Sequence, residues 1–409
     1  MKKKKILILI GGHLATAPRV QKEAAALKKA GAEVLIRGNW LNTVHAQEDL
    51  EIAKALEVDF SAVVSFCDDK QLLVRVFQKI SQIVFSTFGL VTPRLYGIGG
   101  PELLKSARQI NADLTLVHSE AGLWVANQML AEGYKVGVDF EDWFSQDLPL
   151  SDRKLRPVKQ LQALEHHLLK YAHCCFATTQ AMADALAKDA GTLRLPLVIP
   201  NCFPVEDRLK ATEGKQDEKA KGVISFYWFS QTIGPGRGLE ILAEALSQLT
   251  GDWQLVLRGD LRGYRAWFDE LFSGEIRSHV YLAGPVPNCE LLARTMSHDV
   301  GLALEIPFCP SRDVTATNKI FEYLRAGLAV IATNTKGQKE IMSKCSNSGV
   351  VIAENTASEL ASAMQLYISQ SSALESSKRS ALESAASVWP WSKYEQILIK
   401  ELSSVLSGM

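Results

Sequence analysis

The chain has 409 residues, 47% of them hydrophobic, with Lys plus Arg and Asp plus Glu equal at 45 each. That length exceeds one ordinary core and predicts two domains of roughly 200 residues, while the charge balance offers no global field to favour nucleic acid, so any anion site is local. The seven cysteines (Cys67, Cys174, Cys175, Cys202, Cys289, Cys309, Cys345) are scattered, with no CxxC pair and no histidine at zinc spacing, which reads as reduced thiols of a cytoplasmic protein.

The opening MKKKKILILIGG joins a basic stretch to a short apolar run. The run is too short for a signal-peptide core and no small-residue cleavage site follows, so it predicts a buried strand over 6–10. No segment reaches the ~18 apolar residues that a spanning helix needs. Strands at 33–36, 62–66, 114–118, 136–140, 174–177 and 197–199 then alternate with helices at 19–30, 71–88, 121–132, 155–171 and 179–190. This is the pattern of a doubly wound sheet.

The loop after the first strand, GGHLATAPR, allows close backbone approach but lacks the G-x-G-x-x-G spacing, and no acidic residue ends the second strand. A nicotinamide cofactor is therefore disfavoured, and the absence of G-x-x-x-x-G-K-[ST] disfavours a P-loop. The segment 70–94, KQLLVRVFQKISQIVFSTFGLVTPR, holds basic and large apolar residues and no acidic one. It reads as an amphipathic helix facing an anionic membrane, or as a buried helix pair or dimer contact. His118 ends a buried strand, where a polar side chain meets the carboxyl edge of the sheet, although a structural histidine would sit there too. Glu141 and Asp142 in VDFEDW either bond acceptor hydroxyls or cap the next segment. His166, His167 and His173 lie on or just past a long helix without a partner at metal spacing.

The polar, charged stretch 201–221 predicts a linker. Beyond it strands recur at 223–228, 253–257, 280–282, 300–304, 328–332 and 350–352. The fold class is thus α/β, with two tandem Rossmann-like domains at 1–200 and 222–388. Ser/Ala-rich 369–387 reads as a helical, solvated connection, and 389–409 as a final amphipathic helix. In IGPGRGLEIL, Gly234, Gly236 and Gly238 surround Arg237 ahead of a helix, leaving backbone N–H groups and a fixed charge to meet an anion, or forming an ordinary turn. In TATNKIFEYLRAGLAVIATNTKG, Asn318 caps a helix, Lys319 opens it and Glu322 lies one turn on, placing all three at a helix N-terminus suited to a phosphorylated ligand. Alternatively Lys319 and Glu322 form a solvated ion pair.

These strings, with GGHLATAPRVQKEAAALKKAGAEV, DLTLVHSEAG, VGVDFEDWFS and VIPNCF, resemble the GT-B glycosyltransferases of the retaining family 4 over nearly the whole chain. The resemblance implies a GT-B architecture: an acceptor on the N-terminal domain, a nucleoside-diphosphate sugar on the C-terminal domain, chemistry in the cleft, and 389–409 crossing back to the first domain. It implies transfer of a hexose-type sugar with retention to a glycan or lipid-linked acceptor in cell-surface polysaccharide or glycoconjugate biosynthesis. No cofactor, metal or nucleic-acid partner is implied. The cysteine usage sets the expected location as cytoplasmic, and the segment 70–94 is where contact with an anionic inner membrane face is expected. Residue by residue, Glu322 would bond the donor ribose and Arg237 would take the place of the family's phosphate-binding lysine. Thr317, Asn318 and Lys319 would face the diphosphate and sugar. Val286 would meet the base, His118 would reach the donor sugar, and Gly12 would let the first loop approach phosphate.

With Arg237 and Lys319, His118 makes up the implied catalytic set. Gly234, Gly236 and Arg258 would serve the donor, and His13, Glu141 and Asp142 the acceptor, His13 being otherwise a plain loop residue. Two departures bear on the donor. Gln231 stands where the family has a second phosphate-binding arginine, leaving Arg258 or Lys319 to compensate. Val314 stands at the first position of its Glu-x7-Glu motif, with Asp313 one residue off and Glu305 further away. A sugar-nucleotide epimerase and a non-catalytic nucleotide-sugar binder remain the alternatives.

Overall fold

The computed structural model describes the chain apart from residues 2, 68–71, 150–152, 154–155, 216, 218–221 and 409. Lys70, the helix starts expected at 71 and 155, and linker positions 216 and 218–221 lie outside the described residues. The chain divides into two compact units, one of Met1–Ile199, Phe308–Ser311 and Tyr394–Met409, the other of Pro200–Pro307 and Arg312–Lys393.

The first unit is built on a seven-stranded sheet in the order β3-β2-β1-β4-β5-β6-β7. The strands are β1 Lys5–Leu9, β2 Glu33–Trp40, β3 Asp59–Ser65, β4 Leu114–Val117, β5 Val136–Phe140, β6 Cys174–Ala177 and β7 Leu197–Val198, and their pairings are parallel. Strand order reverses between β1 and β4, where Ile6 pairs with Leu114. Such a switch point opens a crevice at the carboxyl ends of the strands. Ile6, Leu7, Ile8 and Leu9 are wholly buried, as expected for a parallel strand covered on both faces.

β2 runs past its expected end at 36 because its ladder with β3 continues to Trp40 opposite Ser65, and Asn39 there also binds the loop after β1. Its N–H donates to Gly12 O (3.0 Å), and its side-chain amide donates to Gly11 O (3.1 Å) and Ile98 O (2.9 Å). The helices Thr43–Ala55 and Gly100–Ile110 add to those expected. The former buries Ala46, Asp49 and Ala53, too weak an apolar stripe to signal a helix.

The second unit has a six-stranded sheet in the order β10-β9-β8-β11-β12-β13. Its strands are β8 Ile224–Thr232, β9 Trp253–Asp260, β10 Val280–Ala283, β11 Val300–Ala303, β12 Ala329–Ala332 and β13 Gly349–Val351, again paired in parallel. Phe226, Trp228, Leu255, Leu257, Leu302 and Ile331 anchor its core. The described part of the expected linker belongs to this unit. It carries the short helix Asp207–Ala211, with Ala211 buried, and Asp217, which accepts from Arg258 and from Arg294 Nη1 (3.1 Å) and lies 3.3 Å from His298 Nε2. The last helix, Trp391–Ser407, counts with the first unit from Tyr394 on. There Leu398 and Leu402 are fully buried and Lys135 Nζ donates to Val405 O (2.7 Å).

Candidate functional site

In the second unit the loop after β8 and the helix Asn318–Ala326 both lie past carboxyl ends of strands, β8 for the loop and β11 for the helix start. Gly238 caps the helix Leu239–Leu246 at φ 79°, and a Cβ there would lie 2.7 Å from Leu304 O, so close packing and a left-handed backbone both call for glycine. Gly236 is also left-handed, at φ 73°, while Gly234 is packed against the Tyr264 ring. Arg237 is exposed and donates from Nη1 to Ser230 Oγ (3.0 Å).

The helix Asn318–Ala326 is capped at Thr317, one residue before the expected Asn318. The Thr317 hydroxyl turns away from the helix and donates to Glu305 Oε1 (3.0 Å), the oxygen that also receives Lys319 Nζ (2.7 Å). Burial raises the Glu305 carboxyl, but Lys319 outweighs it and holds the acid below its usual range. Glu305, distant in sequence from the expected motif, is thus the partner of Lys319. Val314 is buried, and Asp313 pairs with Lys336 (2.7 Å). A cavity of about 40 Å³ lined by Gly238, Leu304, Glu305, Thr333 and Asn355 lies beside these groups.

Glu322 is 1% exposed. Its Oε2 accepts from Arg325 Nε (2.9 Å) and Nη2 (2.7 Å), while its buried Oε1 has no hydrogen-bond partner among the described residues, nor has the buried Asn318 Oδ1. Buried acceptors are ordinarily hydrogen-bonded, and no described residue donates to either of these oxygens. Arg325 in turn reaches Asp207 Oδ2 (3.2 Å) and stacks 3.9 Å above the Phe203 ring. Sequence reasoning missed Arg325, because a carboxylate and arginine at i,i+3 read as an exposed pair.

Arg258 is 5% exposed and committed internally, to Tyr227 Oη (2.9 Å), Gly284 O (2.8 Å) and Asp217. Burial raises the Asp217 carboxyl, yet the bonds from His298 and Arg258 hold it near a pKa of about 2. Val286 is half-buried in the loop after β10.

In the first unit, His118 follows β4 at the switch point and is 2% exposed. Its Nδ1 lies 2.9 Å from Glu141 Oε1 and its Nε2 3.2 Å from Glu23 Oε2. Burial works against a charged ring, but Glu23 and Glu141 lift the imidazole well above its usual range. Beside it Arg19 donates from Nε to Asp139 Oδ2 (2.8 Å) and from Nη1 to Ile199 O (2.6 Å). Burial and then Asp139 push the Glu23 carboxyl up to about 7, against the pull of His118. The neighbouring residue Ser119 takes a left-handed φ of 77°, and a Cβ on Gly11 would sit 2.9 Å from its side chain. Strain of this kind gathers where a turn must present a side chain.

Glu23, His118 and Asp139 place donor atoms within 4.8 Å of one another, a spacing that could hold a metal ion among the described residues. Arg19 already supplies a buried cation to that set. Arg19 and Glu23 were not among the expected site residues, and their i,i+4 spacing on the helix after the glycine loop was the available signal. Asp142 is half-buried beside Glu141. His13 is tied within the unit, Nδ1 to Asp49 (2.8 Å) and Nε2 accepting from Leu41 N (2.8 Å). Gly12 is half-buried, and a Cβ there would meet nothing nearer than Leu41 at 3.9 Å.

Residues 226–370 match the protein-family model described as "Glycosyl transferases group 1". No curated protein sequence matches the chain. Among solved structures, Anabaena HepE in complex with UDP-glucose superposes with a TM-score of 0.72 at 16% identity, over 98% of this chain and 100% of that one. Sucrose-phosphate synthase of Thermosynechococcus elongatus gives 0.70 at 14% over 100% of both chains. A putative UDP-N-acetylglucosamine 2-epimerase of Listeria monocytogenes gives 0.61 at 11%, over 100% of this chain and 98% of that one. The chain therefore has the two-domain α/β fold of the GT-B glycosyltransferases, and the greater part of its second unit matches their group 1 family.

Proposed function

We propose that this protein is a glycosyltransferase that moves a hexose-type sugar, with retention, from a nucleoside-diphosphate sugar to a glycan or lipid-linked acceptor in cell-surface polysaccharide or glycoconjugate synthesis. The observation that carries the reading is Glu322, whose buried Oε1 has no partner among the described residues, on the same helix as Asn318, whose Oδ1 likewise has none, within the matched segment. A ribose hydroxyl is a donor of the kind such an oxygen requires. The helix N-terminus at Thr317 and the glycine-flanked Arg237 supply positive potential for a diphosphate. In transfer, Arg237 and Lys319 would stabilise charge growing on the leaving oxygen; for Lys319 this means exchanging part of its pairing with Glu305 for the donor. Val286 would border the base. The ring of His118, flanked by Glu23 and Glu141, would meet the sugar, and Glu141 with Asp142 would bond acceptor hydroxyls. No metal or other cofactor enters this scheme.

The complex of HepE with UDP-glucose supports a uridine nucleotide as the first donor to try. A calorimetric panel of nucleoside-diphosphate sugars should find one that binds, with affinity reduced at least tenfold in Glu322→Ala and in Lys319→Ala. Unchanged affinity in both variants would remove the proposed site. The similarity to an epimerase favours a second reading, and the exposed Gln231 and buried Val314 suit a third, a non-catalytic binder. Analysis of the products separates them: an epimerase converts the nucleotide sugar without acceptor, and a binder leaves it unchanged. No described helix is long and apolar enough to cross a membrane. A lipid-linked acceptor would place the protein peripherally, at the inner face.

A further inference from the structure

The helix Leu72–Phe88 of the first unit exposes what a surface helix ordinarily hides. Val76, Phe77, Ile80, Ile83 and Phe88 are 43%, 50%, 48%, 63% and 72% exposed, and Ser81 is buried. At about 100° per residue, Ser81 and half-buried Val74, Gln78 and Phe85 form the inward face. Val76, Ile80 and Ile83, at i, i+4 and i+7, make an outward ridge. Arg75 and Lys79 are exposed along one flank, and no acidic residue occurs between 70 and 94. The helix is thus not the buried pair that the sequence left open.

Beside it lies a shallow basin of about 420 Å³ lined by Leu41, Phe66, Arg75, Lys79, Gln82 and Ile98. The Arg75 guanidinium rests 4.3 Å over the Phe66 ring, which leaves its charged edge to the basin. Leu41 joins the basin to the loop after β1 through its bond to His13.

We propose that this face docks on an anionic lipid bilayer, the ridge entering the boundary between headgroups and acyl chains while Arg75 and Lys79 meet lipid phosphates. Contiguous exposed apolar surface of this kind marks an interface. A twofold contact between copies through the same patch would set cations against cations with no carboxylate of the segment to answer them, whereas an anionic leaflet offers complementary charge along its whole extent. The inference adds a partner to the transferase reading without depending on it, because vesicle binding is measured with no sugar nucleotide present.

The test is co-sedimentation of the full chain with phosphatidylcholine vesicles, with and without phosphatidylglycerol. The protein should pellet with the anionic vesicles and remain in solution with neutral ones, and added salt should release it. Arg75→Glu/Lys79→Glu should weaken binding by at least roughly 25-fold, since each basic residue contributes about fivefold. Ile80→Ser/Ile83→Ser should abolish pelleting with its thermal midpoint unchanged, because both side chains are exposed. Equal binding to neutral and anionic vesicles, or indifference to the charge reversal, would overturn the proposal. So would self-association of the native chain that Ile80→Ser/Ile83→Ser converts to monomer, which would make the face a contact between copies.

Discussion

At the scale of single residues, buried carboxylates decide much of the behaviour. Glu322 and Arg325 form a pair in which each side chain is at most 10% exposed. Removing one partner of a buried pair leaves a charge without compensation, so Arg325→Met should lower unfolding free energy by roughly 3–5 kcal/mol, and Glu322→Gln/Arg325→Met should recover much of the loss. Urea unfolding of the two variants, compared with Glu322→Gln alone, closes the cycle; additive losses would mean the pair does not interact. Glu165 behaves differently. It accepts from Ser145 N (3.0 Å), and burial pushes its carboxyl up from 4.5 to about 8. The folded state therefore keeps a proton that the unfolded chain releases, and native stability falls as pH rises from 4.5 to 8. Glu165→Gln keeps the acceptor and removes the titration. It should match the native protein near pH 4.5 and exceed it by a few kcal/mol near pH 8, as read by urea midpoints at both values.

At the scale of elements, Gly238 joins loop to helix in a left-handed, closely packed conformation that a side chain strains. Gly238→Ala adds a Cβ 2.7 Å from Leu304 O at φ 79°, and should cost on the order of 1–3 kcal/mol, with faster amide exchange in the helix Leu239–Leu246. Hydrogen-exchange mass spectrometry checks the local effect, and an unchanged rate there would argue against it. That glycine was legible in the sequence, as were the strands, whose apolar runs stand out because both faces of a parallel sheet are covered. The ends were less so. β8 continues to Thr232 through a register shift after Phe229, where polar Ser230 and Gln231 end the apolar signal. Thr317 and Asn318 are both cap-forming types, and what places the cap at Thr317 is local backbone, with its hydroxyl drawn to Glu305. Glu322 could be picked from its string. The contacts of Arg19 with Asp139 and of Arg258 with Asp217 could not, because each joins side chains far apart in the chain.

At the scale of the whole molecule, the chain's last residues belong to the fold of its first ones. Lys29 pairs with Glu395 (3.0 Å), and Lys135 donates to the carbonyl of Val405 near the end of the final helix. Basic groups are favourable at a helix C-terminus, but the larger contribution is apolar. Leu398 and Leu402 are fully buried, each worth roughly 1.5–3 kcal/mol. Deleting 394–409 should therefore loosen the first unit selectively. Cys174 and Cys175 on β6 give the readout: both are buried, with Glu401 among the charges acting on them. In the truncated chain their labelling by a thiol reagent should accelerate, while Cys345 of the second unit, buried with its Sγ donating to Ile341 O (3.1 Å), stays protected. Equal acceleration at all three would mean that the units unfold as one body, and no acceleration would mean that the final helix contributes little to the first.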